Sequence, residues 1–167
     1  MHQLIYGLVQ SGSGDGALED AKNRVFPMVV DAGDFDYFVT FDVDGRGVAG
    51  EDRWGDLPVA APVEEERGQE LVDRGWDATV SEYERSFDRI QEFLNDHDVE
   101  DFWNNRNVHR EYSLDFHKVG EYHGSSTFLY DEYGQGIRHR DTLDQLLEES
   151  KTGEEEELYV VPADVHY

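Results

Sequence analysis

Between Pro62 and Asp96 the apolar residues Val72, Trp76, Val80, Tyr83, Phe87, Ile90 and Leu94 recur at steps of three and four. That spacing predicts one long amphipathic helix whose stripe faces the rest of the chain. The positions between are charged or small, among them Asp73, Asp77, Glu82, Arg85, Asp88 and Glu92. Pro62 followed by Glu64, Glu65 and Glu66 suits a helix start. Proline lacks a donor that the first turn leaves unused, and carboxylates favour the positive end of the helix dipole. A stripe with three aromatics demands cover, so this helix should organise what packs around it.

The chain has 167 residues, enough for a single domain, 1–167, with a real core. A 38% hydrophobic and 13% aromatic composition excludes a disordered acidic tail. The absence of cysteine excludes disulfides, thiol nucleophiles and zinc–thiolate sites. No apolar run approaches the roughly twenty residues that span a bilayer. The opening MHQLIYGLVQSG reads as a strand and not as a signal peptide. A soluble cytoplasmic protein with no membrane contact is expected.

A formal net charge of −25 is spread along the chain, and lysine occurs only at Lys22, Lys118 and Lys151. Such a surface repels itself in dilute buffer; at about 1 M salt the Debye length falls to about 3 Å and the repulsion is screened. The dispersal of the charge favours solvation in concentrated salt over mimicry of nucleic acid or storage of cations. Nucleic acid is not an expected partner, because phosphate binding calls for cations.

In chain order, Leu4 to Val9 reads as a strand, residues 15–32 as a helix capped by Asp15 and interrupted near Phe26 by Pro27, and Asp34 to Val43 as a strand. After the long helix, Asp98 caps a second helical section that resumes from Val108 to Val119. Thr127 to Tyr130 reads as a third strand, Asp141 caps a helix carrying Leu143, Leu146 and Leu147, and Leu158 to Val161 is a fourth strand that Pro162 should end or mark as an edge. The fold class is therefore α/β (α+β). Two βαβ units form a four-stranded ferredoxin-like sheet, with a helical insertion over approximately residues 62–121. A three-layer α/β sheet with helices on both faces is the alternative.

Several motifs invite a functional reading. Ser11 to Gly16 (SGSGDG) follows a strand but fits neither dinucleotide nor P-loop spacing. Phe38-Val39-Thr40-Phe41 overlaps part of an RNA-binding pattern whose basic residue and glycine are missing. Val39 to Gly45 is an apolar strand ending in Asp-x-Asp-Gly. It resembles the first motif of haloacid-dehalogenase-type phosphatases, which implies Asp42 as nucleophile, Asp44 as general acid and a Mg²⁺ cofactor. Arg46 and Gly47 depart from that motif, and no acidic pair downstream completes its metal site.

His109, His117 and His123 cluster in the helical section without His-Glu-x-x-His spacing, so no metal site is assigned to them. Arg138, His139 and Arg140 form the one dense basic spot. They are the candidate binding residues, for a carboxylate, a phosphate or an acidic partner, or else an internal salt-bridge hub.

Phe35 to Asp42 (FDYFVTFD), Trp54 to Pro58 (WGDLP) and Val160 to Tyr167 (VVPADVHY) resemble stretches of uncharacterised haloarchaeal acidic proteins. The resemblance implies habitat and single-domain integrity, and no activity. No complete catalytic constellation is visible. The expected function is a non-catalytic module, without cofactor, that binds a protein partner, a second copy or a small ligand. The alternative is the Mg²⁺-dependent phosphohydrolase at Asp42 and Asp44.

Overall fold

A computed structural model of the chain describes residues 1–32, 35–120, 124–151 and 156–166. Its centre is a pair of ten-residue strands, β1 (His2–Ser11) and β5 (Glu157–His166), antiparallel from His2 opposite His166 to Ser11 opposite Glu157. Both are apolar on both faces and buried along most of their length, so each face of the sheet needs a cover.

One cover is α1 (Gly14–Asp20), a π-helical turn (Ala21–Val25) and α2 (Phe26–Ala32). Ala17, Ala21, Val25, Phe26 and Val29 pack there on Ile5, Val9, Val161 and Val165. Ser13, not Asp15, caps α1, its side chain accepting from the Gly16 N–H. The π turn absorbs the break expected from Pro27, with the Phe26 N–H reaching back to the Ala21 carbonyl.

The opposite face carries Leu4, Tyr6, Leu8, Leu158 and Val160 under α5 (Glu66–Asp96) and α8 (Arg140–Ser150). Between these elements lie β2 (Tyr37–Thr40), α3 (Arg46–Ala49), α4 (Glu51–Trp54), β3 (Ala61–Pro62), α6 (Val99–Asn104), α7 (Arg106–Gly120), a 3-10 turn (Gly124–Ser126) and β4 (Leu129–Tyr130). Asp98 caps α6 as expected, within a reciprocal capping box with Asp101. α8 starts one residue before Asp141, which falls in its first turn.

The sheet is mixed and five-stranded, in the order β2-β5-β1-β4, with β3 also on β5. This corrects the expected topology. β1 and β2 are both antiparallel to β5, hence parallel to each other with β5 between them. β4 is parallel to β1, so it opposes β5 and no second parallel crossover forms. Helices lie on both faces, giving the three-layer arrangement and not the ferredoxin-like one.

Pro162 sits inside the central strand opposite Tyr6 instead of ending it. β2 pairs with β5 as far as Ala163 and β3 takes over at Val160. The missing donor of Pro162 thus meets a gap between edge strands and costs no ladder bond.

The long helix exists with the expected C-terminus, but its buried side differs from the expected stripe. Gly68, Leu71, Val72, Gly75, Thr79, Glu82, Ser86 and Phe93 are buried, whereas Tyr83, Phe87 and Leu94 are exposed. Small residues let the helix axis lie close to the sheet. Thr79 uses the proximity: its Oγ1 donates to the Gly75 carbonyl and accepts from the Phe128 N–H at 3.1 Å. Beyond the sheet, Phe93 packs with Phe102, Val108 and Tyr112 in a separate small core that holds α6 and α7 to the end of α5.

Candidate functional site

β1 alternation places His2, Leu4 and Tyr6 on the face turned toward α5. Where α5 and α7 run past the end of that face, a cavity of about 630 Å³ opens over the strand. Leu4, Tyr6 and Phe128 form its floor, Arg74, Ala78, Glu82 and Arg85 of α5 one wall, and Leu114 and Lys118 of α7 another. Met1, His2, Gln3 and Trp54 complete the lining.

Two of the lining residues carry a buried polar atom with no hydrogen-bond partner among the described residues, the Tyr6 hydroxyl and Trp54 Nε1. An orphaned buried donor costs about 1–3 kcal/mol, so two on residues that line one cavity single it out as the candidate site. Indole N–H can only donate. The Tyr6 phenol is pushed up to about 12 by burial, against the opposing pull of Arg74 and Arg67, so it keeps its proton at neutral pH and also donates.

The charges agree with the donors. Arg74, Arg85 and Lys118 face one carboxylate, Glu82. Glu82 ties Arg85 at 2.6 Å on its own helix and Lys118 across on α7, fixing the wall. Arg74 forms no ion pair among the described residues and lies close enough to Tyr6 to act on its phenol. In a chain of net charge −25, this is a local excess of cations around two neutral donors.

Beside the cavity, Asp164 is 2% exposed, with both carboxylate oxygens 3.1 Å from His2 Nδ1 and one of them 3.7 Å from Arg53. His166 stacks on Tyr37 and bonds Asp36 at 3.3 Å. FDYFVTFD, WGDLP and the stretch Val160 to His166 therefore meet at this end of the sheet: β2 pairs with β5, while Trp54 and the neighbouring Arg53 reach the cavity and Asp164.

The residues singled out from sequence lie elsewhere. Asp42 accepts from Lys22 at 2.7 Å, from Thr40 and from the Gly45 N–H, and the Lys22 ammonium holds its carboxyl below the usual range. Asp44 is exposed. Among the described residues no three His, Asp or Glu side chains converge as metal ligands. His109 packs on Phe102, His117 is exposed on α7, and His123 lies outside the described residues.

The basic triplet is drawn onto α5. Arg138 donates to the Val119 carbonyl and lies over Tyr83, and Arg140 pairs with Asp144 and lies over Trp76. His139 occupies the N-cap position of α8. None of the three lines the cavity.

Sequence reading singled out none of His2, Tyr6, Trp54, Arg74 or Asp164 as a site. The one local signal is Asp164, a carboxylate inside the otherwise apolar run VVPADV.

Over residues 1–167 the chain matches the domain of unknown function DUF7995, and it belongs to that family. No curated protein and no solved structure matches it.

Proposed function

We propose that this DUF7995 protein binds a small organic carboxylate in the cavity between β1, α5 and α7. The observation that carries the reading is the pair of buried donors at Tyr6 and Trp54, unpartnered among the described residues, with the Arg74 guanidinium, which forms no ion pair among them, on the same cavity wall. Donors without acceptors call for a ligand that supplies acceptors, and a cation beside them calls for negative charge. Leu4, Ala78, Leu114 and Phe128 supply apolar contact for the body of the molecule, and the volume lies within the usual range for small-ligand sites. The net charge of −25 and its dispersal support operation in a cytoplasm of concentrated salt, in keeping with a haloarchaeal source.

The test is calorimetric titration in about 2 M KCl with benzoate and with its neutral counterpart benzamide. Benzoate should bind more tightly, and Arg74→Gln should weaken it by about tenfold while leaving benzamide unchanged. Equal affinity for the two probes, or no effect of Arg74→Gln, contradicts the reading.

A further inference from the structure

The cavity holds one more group that binding alone does not use. We propose that His2, oriented by Asp164, acts there as a general base that draws a proton from water for attack on a carboxylic ester. This rests on the carboxylate-binding reading above. His2 lines the cavity, and its Nδ1 is committed to Asp164, which is 2% exposed. A carboxylate only accepts, so the shared proton sits on Nδ1 and the lone pair of the neutral ring is on Nε2. Nε2 has no hydrogen-bond partner among the described residues. Arg53, 3.7 Å from one of the carboxylate oxygens, offsets its charge.

Donors that hold a carboxylate also hold the oxyanion of the tetrahedral species that precedes it. Tyr6 O–H and Trp54 N–H take that part. Among the described residues the lining contains no serine or threonine, and the chain has no cysteine, so water is the nucleophile.

The step balances without a further reagent. A water O–H bond breaks, its proton goes to His2 Nε2, and the oxygen bonds the carbonyl carbon as the C=O pair moves onto oxygen. That pair then returns, the C–O bond to the alcohol breaks, and Nε2–H protonates the departing oxygen. The products are an alcohol and a carboxylic acid, which ionises to the carboxylate that the cavity favours.

The experiment uses phenyl butyrate, with phenol release followed by absorbance, alongside benzoate binding on the same preparation. Saturable release inhibited by benzoate is expected. His2→Gln, whose amide can still bond Asp164, should lower turnover about a hundredfold or more, and Tyr6→Phe about tenfold or more. Benzoate binding with no phenol above the buffer rate, or full turnover in His2→Gln, overturns the hydrolytic proposal and leaves the binding reading standing. Absence of benzoate binding overturns both. For Asp164 as a positioning residue, long-range ¹H–¹⁵N spectra should show the Nδ1–H tautomer of His2, reversed in Asp164→Asn along with loss of turnover. An unchanged tautomer with lost turnover contradicts that role.

Discussion

Gly75 of α5 lies against the Tyr6 ring so closely that a Cβ at position 75 would stand 2.8 Å from Tyr6 Cδ2. It would also stand 2.9 Å from the Leu129 side chain. Both neighbours are fully buried, so neither can yield cheaply. This contact sets the height of the helix above the sheet, and with it the depth of the cavity.

Gly75→Ala therefore pits helix propensity against overpacking. Alanine gains about 1 kcal/mol within a helix, while a forced methyl in a packed interior costs about 1–3 kcal/mol. The expected result is a net loss of about 1 kcal/mol in guanidinium denaturation, with weaker benzoate binding. A more stable variant would contradict the close packing.

Tyr6→Phe should separate stability from function. It removes a buried hydroxyl that has no partner among the described residues, so stability should rise by about 1 kcal/mol while benzoate affinity falls. The pH dependence has a definite sign. The folded phenol titrates near 12 against 10.0 in the unfolded chain, so its contribution is full below pH 10 and is lost as pH rises through about 12. Between those limits wild type should lose about 3 kcal/mol that Tyr6→Phe keeps. Parallel alkaline denaturation curves would contradict this assignment.

Much of the fold is legible in the sequence. The reach of α5 to Asp96 and the cap at Asp98 follow from periodicity and capping chemistry. The orientation of α5 does not, because Gly75, Thr79 and Ser86 are buried for their small size, which hydrophobic patterning cannot see. Pro162 misleads for a similar reason: only the gap between β2 and β3 makes it harmless in a central strand. The site is hidden by distance along the chain, since His2 and Asp164 are 162 residues apart and Tyr6 reads as ordinary core.

Asp42 is assigned to the structure of its turn. Lys22 holds its carboxyl below the ordinary 3.8, so its stabilisation is present above the unfolded value and is lost as pH falls through the folded one. Asp42→Asn should cost about 1 kcal/mol near neutral pH and flatten the acid limb of the stability profile. An unchanged acid limb would contradict the Lys22 pairing.

The dispersed negative charge predicts a marked dependence on salt. The thermal midpoint should climb between about 0.1 M and about 2 M KCl as repulsion is screened. A midpoint indifferent to KCl would remove the support for a high-salt setting.

The most direct measurement is the ¹H–¹⁵N spectrum of the three indole N–H groups during titration with benzoate, with Trp54 identified through Trp54→Phe. Trp54 Nε1 has no acceptor among the described residues, whereas Trp103 is 83% exposed on α6 and does not line the cavity. A saturable downfield shift of the Trp54 resonance, with Trp103 unmoved, is the predicted result. A Trp54 resonance that stays in place while benzoate binds would contradict the site.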